Sequence, residues 1–308
     1  MKRGFEQVLN RLSGRPNIPA GAEPQDRSRD DEARDGIQDE TFVEVTFAGR
    51  TFKLDPANGA DQVARDIVAG SYEAPLPMLM MASLVRVEGA FVDVGANTGL
   101  YSVMAASIAP GRPILAFEPL PLALAALRRN IAANDIQDAI TVDESALSDR
   151  SGKATLHIPD PSHGLIETSA SLEAEFKPRN LATTVLEVTV ATLDSLDIPG
   201  PIGVIKVDIE GHEHAFLEGA RATIARERPI VFIELLQNAP SHRIRQFVRE
   251  MDYLDFRLRP DLAIHDGGEV LYDPLAWNHA LVPVERLSKF QEACHSCGLA
   301  MLRRFVPS

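Results

Sequence analysis

The sequence predicts an α/β fold: a doubly wound, mostly parallel sheet with helices on both faces. Three observations carry this. From residue 88 onward, short apolar strand-like runs alternate with segments of helical spacing, as parallel strands joined by crossover helices require. The apolar run 91–94 breaks into a glycine-bearing turn and then a helix, the unit that places a ligand at the carboxyl end of a central strand. The chain has 308 residues, 45% apolar and 24% charged, enough for one α/β domain of ordinary size with a sizeable core.

The elements follow in order. Residues 15–40 are poor in large apolar side chains and rich in Asp, Arg, Glu, Gly and Pro. Such a segment cannot bury enough surface to offset its ordering entropy, so 1–40 is expected to be disordered. Residues 41–54 alternate apolar and polar around Ala48-Gly49, which predicts a β-hairpin. Helical spacing follows at 60–69, closed by Gly70, and at 75–85; together 41–86 read as a cap on the main domain. In the main domain, 87–285, strands are expected at 91–94, 114–117, 139–143, 202–208 and 230–234, with helices at 98–108, 121–133, 212–226 and 241–251. Pro121 suits a first helical turn, and Leu124, Leu127 and Ile131 share one face. Phe216, Leu217, Ala220 and Ile224 form a comparable core stripe.

Between the third and fourth strands lies a long segment, 144–201, with strand-like pieces at 153–158 and 184–190. Its middle, 161–174, is small and polar and contains Ser162, His163, Ser169 and Ser171; loops of this length usually bind or cover something. Strands near 253–258 and 278–283 would finish the sheet, and 285–303 read as a terminal helix, the C-terminal unit 286–308.

Several function classes are disfavoured. A net charge of −13 argues against a nucleic-acid partner, which calls for a basic stripe. No apolar run is long enough to cross a bilayer, and the opening MKRGFEQVLNRLSG lacks the apolar core of a secretion signal. Cys294 and Cys297 have no second Cys or His pair at zinc-site spacing. They read as two helical thiols in a reducing cytosol, and a cytoplasmic location is expected. Oligomeric state is not legible.

The chemistry concentrates at strand ends. Asp93 offers a carboxylate to an ammonium group, Gly95 can turn with positive φ, and Gly99 lets backbone approach a ligand. A nicotinamide fingerprint would need glycines at 95, 97 and 100, but Asn97 and Leu100 stand there. Glu118 ends the second strand roughly twenty positions beyond Gly99, where dinucleotide folds place an acid on ribose hydroxyls. After the third strand, Ser145 and Ala146 are the nearest candidates to border an adenine, with an ordinary acidic turn as the alternative.

In the fourth strand, period-two geometry puts Val204, Lys206 and Asp208 on one face, with Lys206 and Asp208 about 7 Å apart along the strand. A charge in an otherwise apolar strand is costly unless paired, so Lys206 either finds a carboxylate or reaches the top of the sheet. Glu210, His212 and Glu213 open the next helix, where acids suit the dipole. His212 and His214 stand at i,i+2 and do not converge on a metal. Glu234 adds a further acid to the same rim, and such convergence implies a ligand, a shared proton or a cation. No metal site is assigned, although a divalent ion at Asp208, Glu210 or Glu234 stays open.

The turn Asp-x-Gly-x-x-x-Gly resembles motif I of S-adenosylmethionine (SAM) methyltransferases. FVDVGANTG, AFEP, ALSD, IKVDIEGHE and VFIEL, in that order, resemble the FkbM family of these enzymes over roughly residues 60–285. Gly70-Ser71-Tyr72-Glu73 and the helix at 75–85 fit that family's lead-in. The resemblance implies a Rossmann-like class I methyltransferase fold, with a seven-stranded sheet whose last strand is antiparallel. It implies SAM as cofactor, and O-methylation of a hydroxyl on a sugar or glycan, a glycolipid or a polyketide-type acceptor. Asp93, Gly95, Asn97 and Gly99 would hold the methionine end, Glu118 the ribose, and Asp208 would close the site. The acceptor's proton needs a base, for which Asp208, Glu210 and His212 are the candidates in that order. A non-catalytic SAM-binding protein and an NAD-dependent oxidoreductase are the rival readings. The loop 159–178 matches nothing assignable, so the acceptor stays open.

Overall fold

The computed structural model describes residues 42–55, 66, 67, 69–159, 170–173 and 183–304. Segment 1–40, expected to be disordered, lies outside the described residues. So do most of the expected helix 60–69 and the stretch holding Ser162, His163 and Ser169.

Strands β1 (Val43–Phe47) and β2 (Arg50–Leu54) pair antiparallel around Ala48 and Gly49, the expected hairpin. Alternation places Val45, Phe47, Phe52 and Leu54 on its buried face. Helix α1 (Leu76–Leu84) is apolar all round, and Leu79, Met80, Met81, Ala82 and Leu84 are fully buried; such a helix must be packed on every side. Strand and helix then alternate through β3 (Ala90–Val94), α2 (Leu100–Ile108), β4 (Ile114–Phe117), α3 (Pro121–Ala133) and β5 (Ile140–Asp143). The segment that follows holds β6 (Ala146–Leu147), β7 (Gly152–Pro159) and β8 (Thr183–Ala191). The main alternation resumes with β9 (Ile202–Val207), α4 (Glu213–Gly219), α5 (Arg221–Glu227), β10 (Ile230–Glu234) and α6 (Ser241–Glu250). Last come β11 (Tyr253–Arg259), β12 (Leu262–Asp266), β13 (Asn278–Pro283), α7 (Leu287–Ser296) and β14 (Ala300–Arg304).

The main sheet has the order β14-β12-β11-β13-β10-β9-β3-β4-β5. Strands β5, β4, β3, β9 and β10 are parallel, and β13 inserts antiparallel between β10 and β11. Those seven strands are the expected class I methyltransferase sheet. Two more, β12 and β14, extend its edge, so the observed sheet has nine strands.

Strand alternation divides the core. Phe91, Val204 and Phe232 face one side, packed with the hairpin, α1, α2, α3 and α7. Val92, Ile205 and Val231 face the other, packed with α4, α5 and α6. The insertion between β5 and β9 forms its own three-stranded sheet, β6-β8-β7, whose Leu156, Val188 and Val190 pack on Leu120 and Ala123.

Two expected helices are corrected. The helix expected over 285–303 stops at Ser296, where the Gly298 and Leu299 amides turn back onto the carbonyls of His295 and Cys294. The chain then joins the sheet as β14, in parallel register with β12. The helix expected over 212–226 is two helices, α4 and α5. Asp194 accepts the amides of Ala222 (2.9 Å) and Thr223 (2.7 Å), satisfying first-turn donors and starting α5 afresh beyond Ala220.

Candidate functional site

The carboxyl ends of β3, β4, β9 and β10 open on a cavity of about 270 Å³. Its walls carry six carboxylates, Asp55, Glu73, Glu118, Asp208, Glu210 and Glu234, against one lysine, Lys206. The chemistry of that lining favours a ligand carrying positive charge.

The loop after β3 forms the floor. Gly95 has φ +74°, and a Cβ there would lie 2.0 Å from the Asp208 carbonyl oxygen, so only glycine lets β3 and β9 meet at this point. The amides of Gly95 and Ala96 both donate to the Phe117 carbonyl at 3.0 Å. The Asn97 amide donates to Glu118 Oε2 (2.8 Å), and the Leu120 amide to Glu118 Oε1 (2.8 Å). Glu118 therefore ties the β3 and β4 loops together while lining the cavity. Burial pushes its carboxyl up to about 7 although the two amides pull the other way. Gly99 also has a packing role. A Cβ at residue 99 would meet Leu127 Cδ1 at 2.2 Å, so the backbone here lies close against helix α3.

Asp93 lies beneath the floor at 0% exposure and accepts the Ser102 hydroxyl at 2.6 Å. It is the register partner of Lys206 across the β3–β9 pair. Lys206, 4% exposed, resolves the alternatives left by the sequence: its ammonium pairs with Asp208 Oδ2 at 3.0 Å and lies 4.8 Å from the Tyr101 ring centre. Burial opposes its charge, but Asp208, Asp93 and Glu73 more than offset this and hold it protonated. Glu234 lines the same rim; burial and the neighbouring Asp208, Glu210 and Glu213 drive its carboxyl well above the usual range. Ser145 and Ala146 line the far wall, and the Ser145 amide is held by Asp143 Oδ1 at 2.7 Å.

Among the base candidates, Asp208, Glu210 and His212 all line the cavity. His212 has both ring nitrogens engaged: Nδ1 with Glu173 Oε1 (2.8 Å) and Nε2 with Ser148 Oγ (2.9 Å). Glu213 is buried and accepts the amides of Ile209 and Gly211 at 3.1 Å each, so it builds the turn instead of facing the cavity.

Among the lining residues that escape the sequence reading as site residues are Asp55, Tyr72, Glu73 and Tyr101. The Tyr101 hydroxyl donates to Glu73 Oε2 at 2.5 Å, joining the turn before α1 to the first turn of α2. The available signal was a tyrosine in an apolar helix immediately after the glycine turn. At the opposite lip, Glu234 is in register with Asn278, and the carbonyl of half-exposed Trp277 accepts the Leu235 amide at 2.7 Å.

Two observations test the fit of a SAM-sized cation. Asn97, which lines the cavity, has a buried Oδ1 with no hydrogen-bond partner, and the rim is acidic. Both favour an incoming donor or cation. Among the described residues, no three His, Cys, Asp or Glu side chains are grouped to hold a metal ion, and no helix is long and apolar enough to cross a membrane.

The Methyltransferase FkbM domain family matches residues 93–254, from the Asp93 of the floor to β11. The chain belongs to the FkbM methyltransferase family. A curated relative, 31-O-demethyl-FK506 methyltransferase FkbM of Streptomyces tacrolimicus, is 28% identical over 199 residues, covering 57% of this chain and 70% of the relative. Methyltransferase sdnD of Sordaria araneosa is 40% identical over 65 residues, 21% of this chain and 25% of that protein. A solved FkbM methyltransferase from Methylobacillus flagellatus is 18% identical, with a TM-score of 0.42, over 63% of this chain and 43% of that one. The FkbM chain described here thus spans less than half of that solved protein and a quarter of sdnD.

Proposed function

We propose that this FkbM-family methyltransferase uses SAM to methylate a hydroxyl on a sugar or glycan, a glycolipid or a polyketide-type acceptor. The observation that carries the reading is the acid-lined cavity at the ends of β3 and β9, built on the family's own motifs. SAM supplies an electrophilic methyl group on a sulfonium centre. Asn97 and the rim carboxylates would hold the methionine end, with Asp93 and Gly95 shaping the floor beneath. Glu118 would accept the ribose hydroxyl protons, and Ser145 and Ala146 would border the adenine.

Most of the rate would come from aligning the acceptor oxygen with the methyl group, since positioning can supply several kcal/mol. Asp208 is the leading base: Lys206 fixes one of its oxygens, and a third of the side chain remains exposed to a hydroxyl. Glu234 is unsuited to that role at neutral pH, because the same crowding that raises it keeps it protonated. The reading places the enzyme in a reducing cytoplasm with a small-molecule or glycan acceptor. The rigid tie between Glu118 and the two loop amides supports a preorganised ribose site.

Calorimetry with SAM and its product S-adenosylhomocysteine (SAH) tests the cofactor; saturable binding of both is expected, and no uptake of either overturns the reading. Tritium transfer from labelled SAM to cell-extract glycans and lipids separates an enzyme from a non-catalytic binder.

A further inference from the structure

Residues 170–173 belong to the long insertion and carry none of the family's motif residues, yet Ala170 and Leu172 line the cavity. Four hydrogen bonds join them to the rest of the chain. The backbones of His157 and Ser171 exchange hydrogen bonds of 2.8 and 3.0 Å, adding a bridge to β7. The Ser171 hydroxyl donates to the Glu210 carbonyl at 2.8 Å and receives the Glu173 amide at 3.0 Å. Glu173 Oε1 meets His212 Nδ1 at 2.8 Å, and His212 Nε2 is held by Ser148 at 2.9 Å. Glu210 adopts left-handed φ (+55°), an uncommon conformation for a residue with a side chain.

The four-residue strip is therefore fastened at one end to β7 and at the other to the turn leading into α4. Its apolar residues Ala170 and Leu172 pack against the cluster containing Leu120, Ala146 and Leu156. That is the end of the cavity where Ser145 and Ala146 stand. The serine–histidine–glutamate chain does not read as a nucleophile relay: Ser148 is 3% exposed, does not line the cavity, and its hydroxyl also donates to Asp149 Oδ1 at 3.1 Å.

We propose that His212 is a positioning residue that, through Glu173, pins residues 170–173 in place so that Leu172 and Leu156 form an apolar wall against the purine of the bound nucleoside. The proposal rests on the SAM reading. It reassigns His212 from base to anchor, because both ring nitrogens that could take a proton are already engaged. It also gives the insertion a role in cofactor affinity in addition to any contact with the acceptor.

The test is SAH and adenosine binding by calorimetry on the full chain, with Glu173→Ala, Glu173→Gln and Leu172→Ala. These side chains are only partly buried, so folding is expected to survive; the melting temperature of each variant checks it. Glu173→Ala and Leu172→Ala are expected to weaken SAH about tenfold, the size of one well-made contact, and adenosine by the same factor. Glu173→Gln keeps an oxygen acceptor for His212 and is expected to return to within about threefold of wild type. A purely structural role would lower the melting temperature without this rescue pattern. SAH affinity unchanged in Glu173→Ala and Leu172→Ala, with the wild type binding normally, overturns the wall while leaving the SAM reading intact. A wild type that takes up neither probe overturns both.

Discussion

Lys206 and Asp208 are joined by a 3.0 Å ion pair at the end of β9, the lysine almost wholly buried and the aspartate one-third exposed. Asp93 below and Glu73 beside them also act on the lysine, so one ammonium faces three acids. The pair links the sheet's interior to the surface where chemistry would occur.

Removing that ammonium leaves buried acids without a counter-charge. Lys206→Met is expected to cost roughly 3 kcal/mol, the low end for breaking a buried pair because Asp208 keeps some solvent. Urea denaturation would measure it; an unchanged midpoint would mean that the acids are already protonated in the native state.

The approach of Gly95 to Asp208 predicts a paired comparison. Gly111 also has positive φ (+84°), but a Cβ added there would meet nothing within 4 Å, whereas one at Gly95 would lie 2.0 Å from a carbonyl oxygen. Gly111→Ala is expected to cost about 1 kcal/mol from backbone strain alone. Gly95→Ala is expected to cost at least about twice that, with loss of SAH binding, because backbone has to move. Equal losses in the two variants would contradict the close approach.

Stability is expected to fall as pH rises from mildly acidic to mildly basic. Burial pushes Glu213 up to about 8 and Glu118 up to about 7, while an unfolded glutamate releases its proton near ~4.3. Between those values the native chain holds more protons than the unfolded one, so each such group removes up to about 1.4 kcal/mol per pH unit. Unfolding at about pH 5 and about pH 8 measures the slope. Glu213→Gln keeps one oxygen for the Ile209 and Gly211 amides and is expected to flatten it.

Glu118 gives a separate handle on affinity. Its two oxygens take one amide each, and a glutamine can serve only one of them. Glu118→Gln is expected to weaken SAH about tenfold, as one lost hydrogen bond to a charged group would. Calorimetry at matched protein stability checks this.

The sheet, most of its helices and the acids at the strand ends were legible because they obey local rules. Apolar runs such as 202–207 announce strands, and glycine marks the place where the turn after β3 comes against the Asp208 carbonyl. What escaped depends on distant partners. Nothing near residue 220 shows that Asp194 caps a new helix there. The short strand β14 is exposed along most of its length, so it lacks the alternation that reveals a strand, and pairing with β12 decides its conformation. That Gly99 lies against Leu127 is hidden in the same way, because the two are remote in sequence. Glu73 reached the site through its bond to Tyr101, a contact that no spacing encodes.

Trp277 is the chain's single tryptophan. It is half exposed, and its carbonyl is bonded to the residue that follows Glu234 at the lip of the cavity. Its indole emission therefore arises from one known position, joined through the backbone to the strand that ends at Glu234. Quenching or a colour change on titrating candidate alcohols would report their arrival directly, with no dye attached and no turnover required.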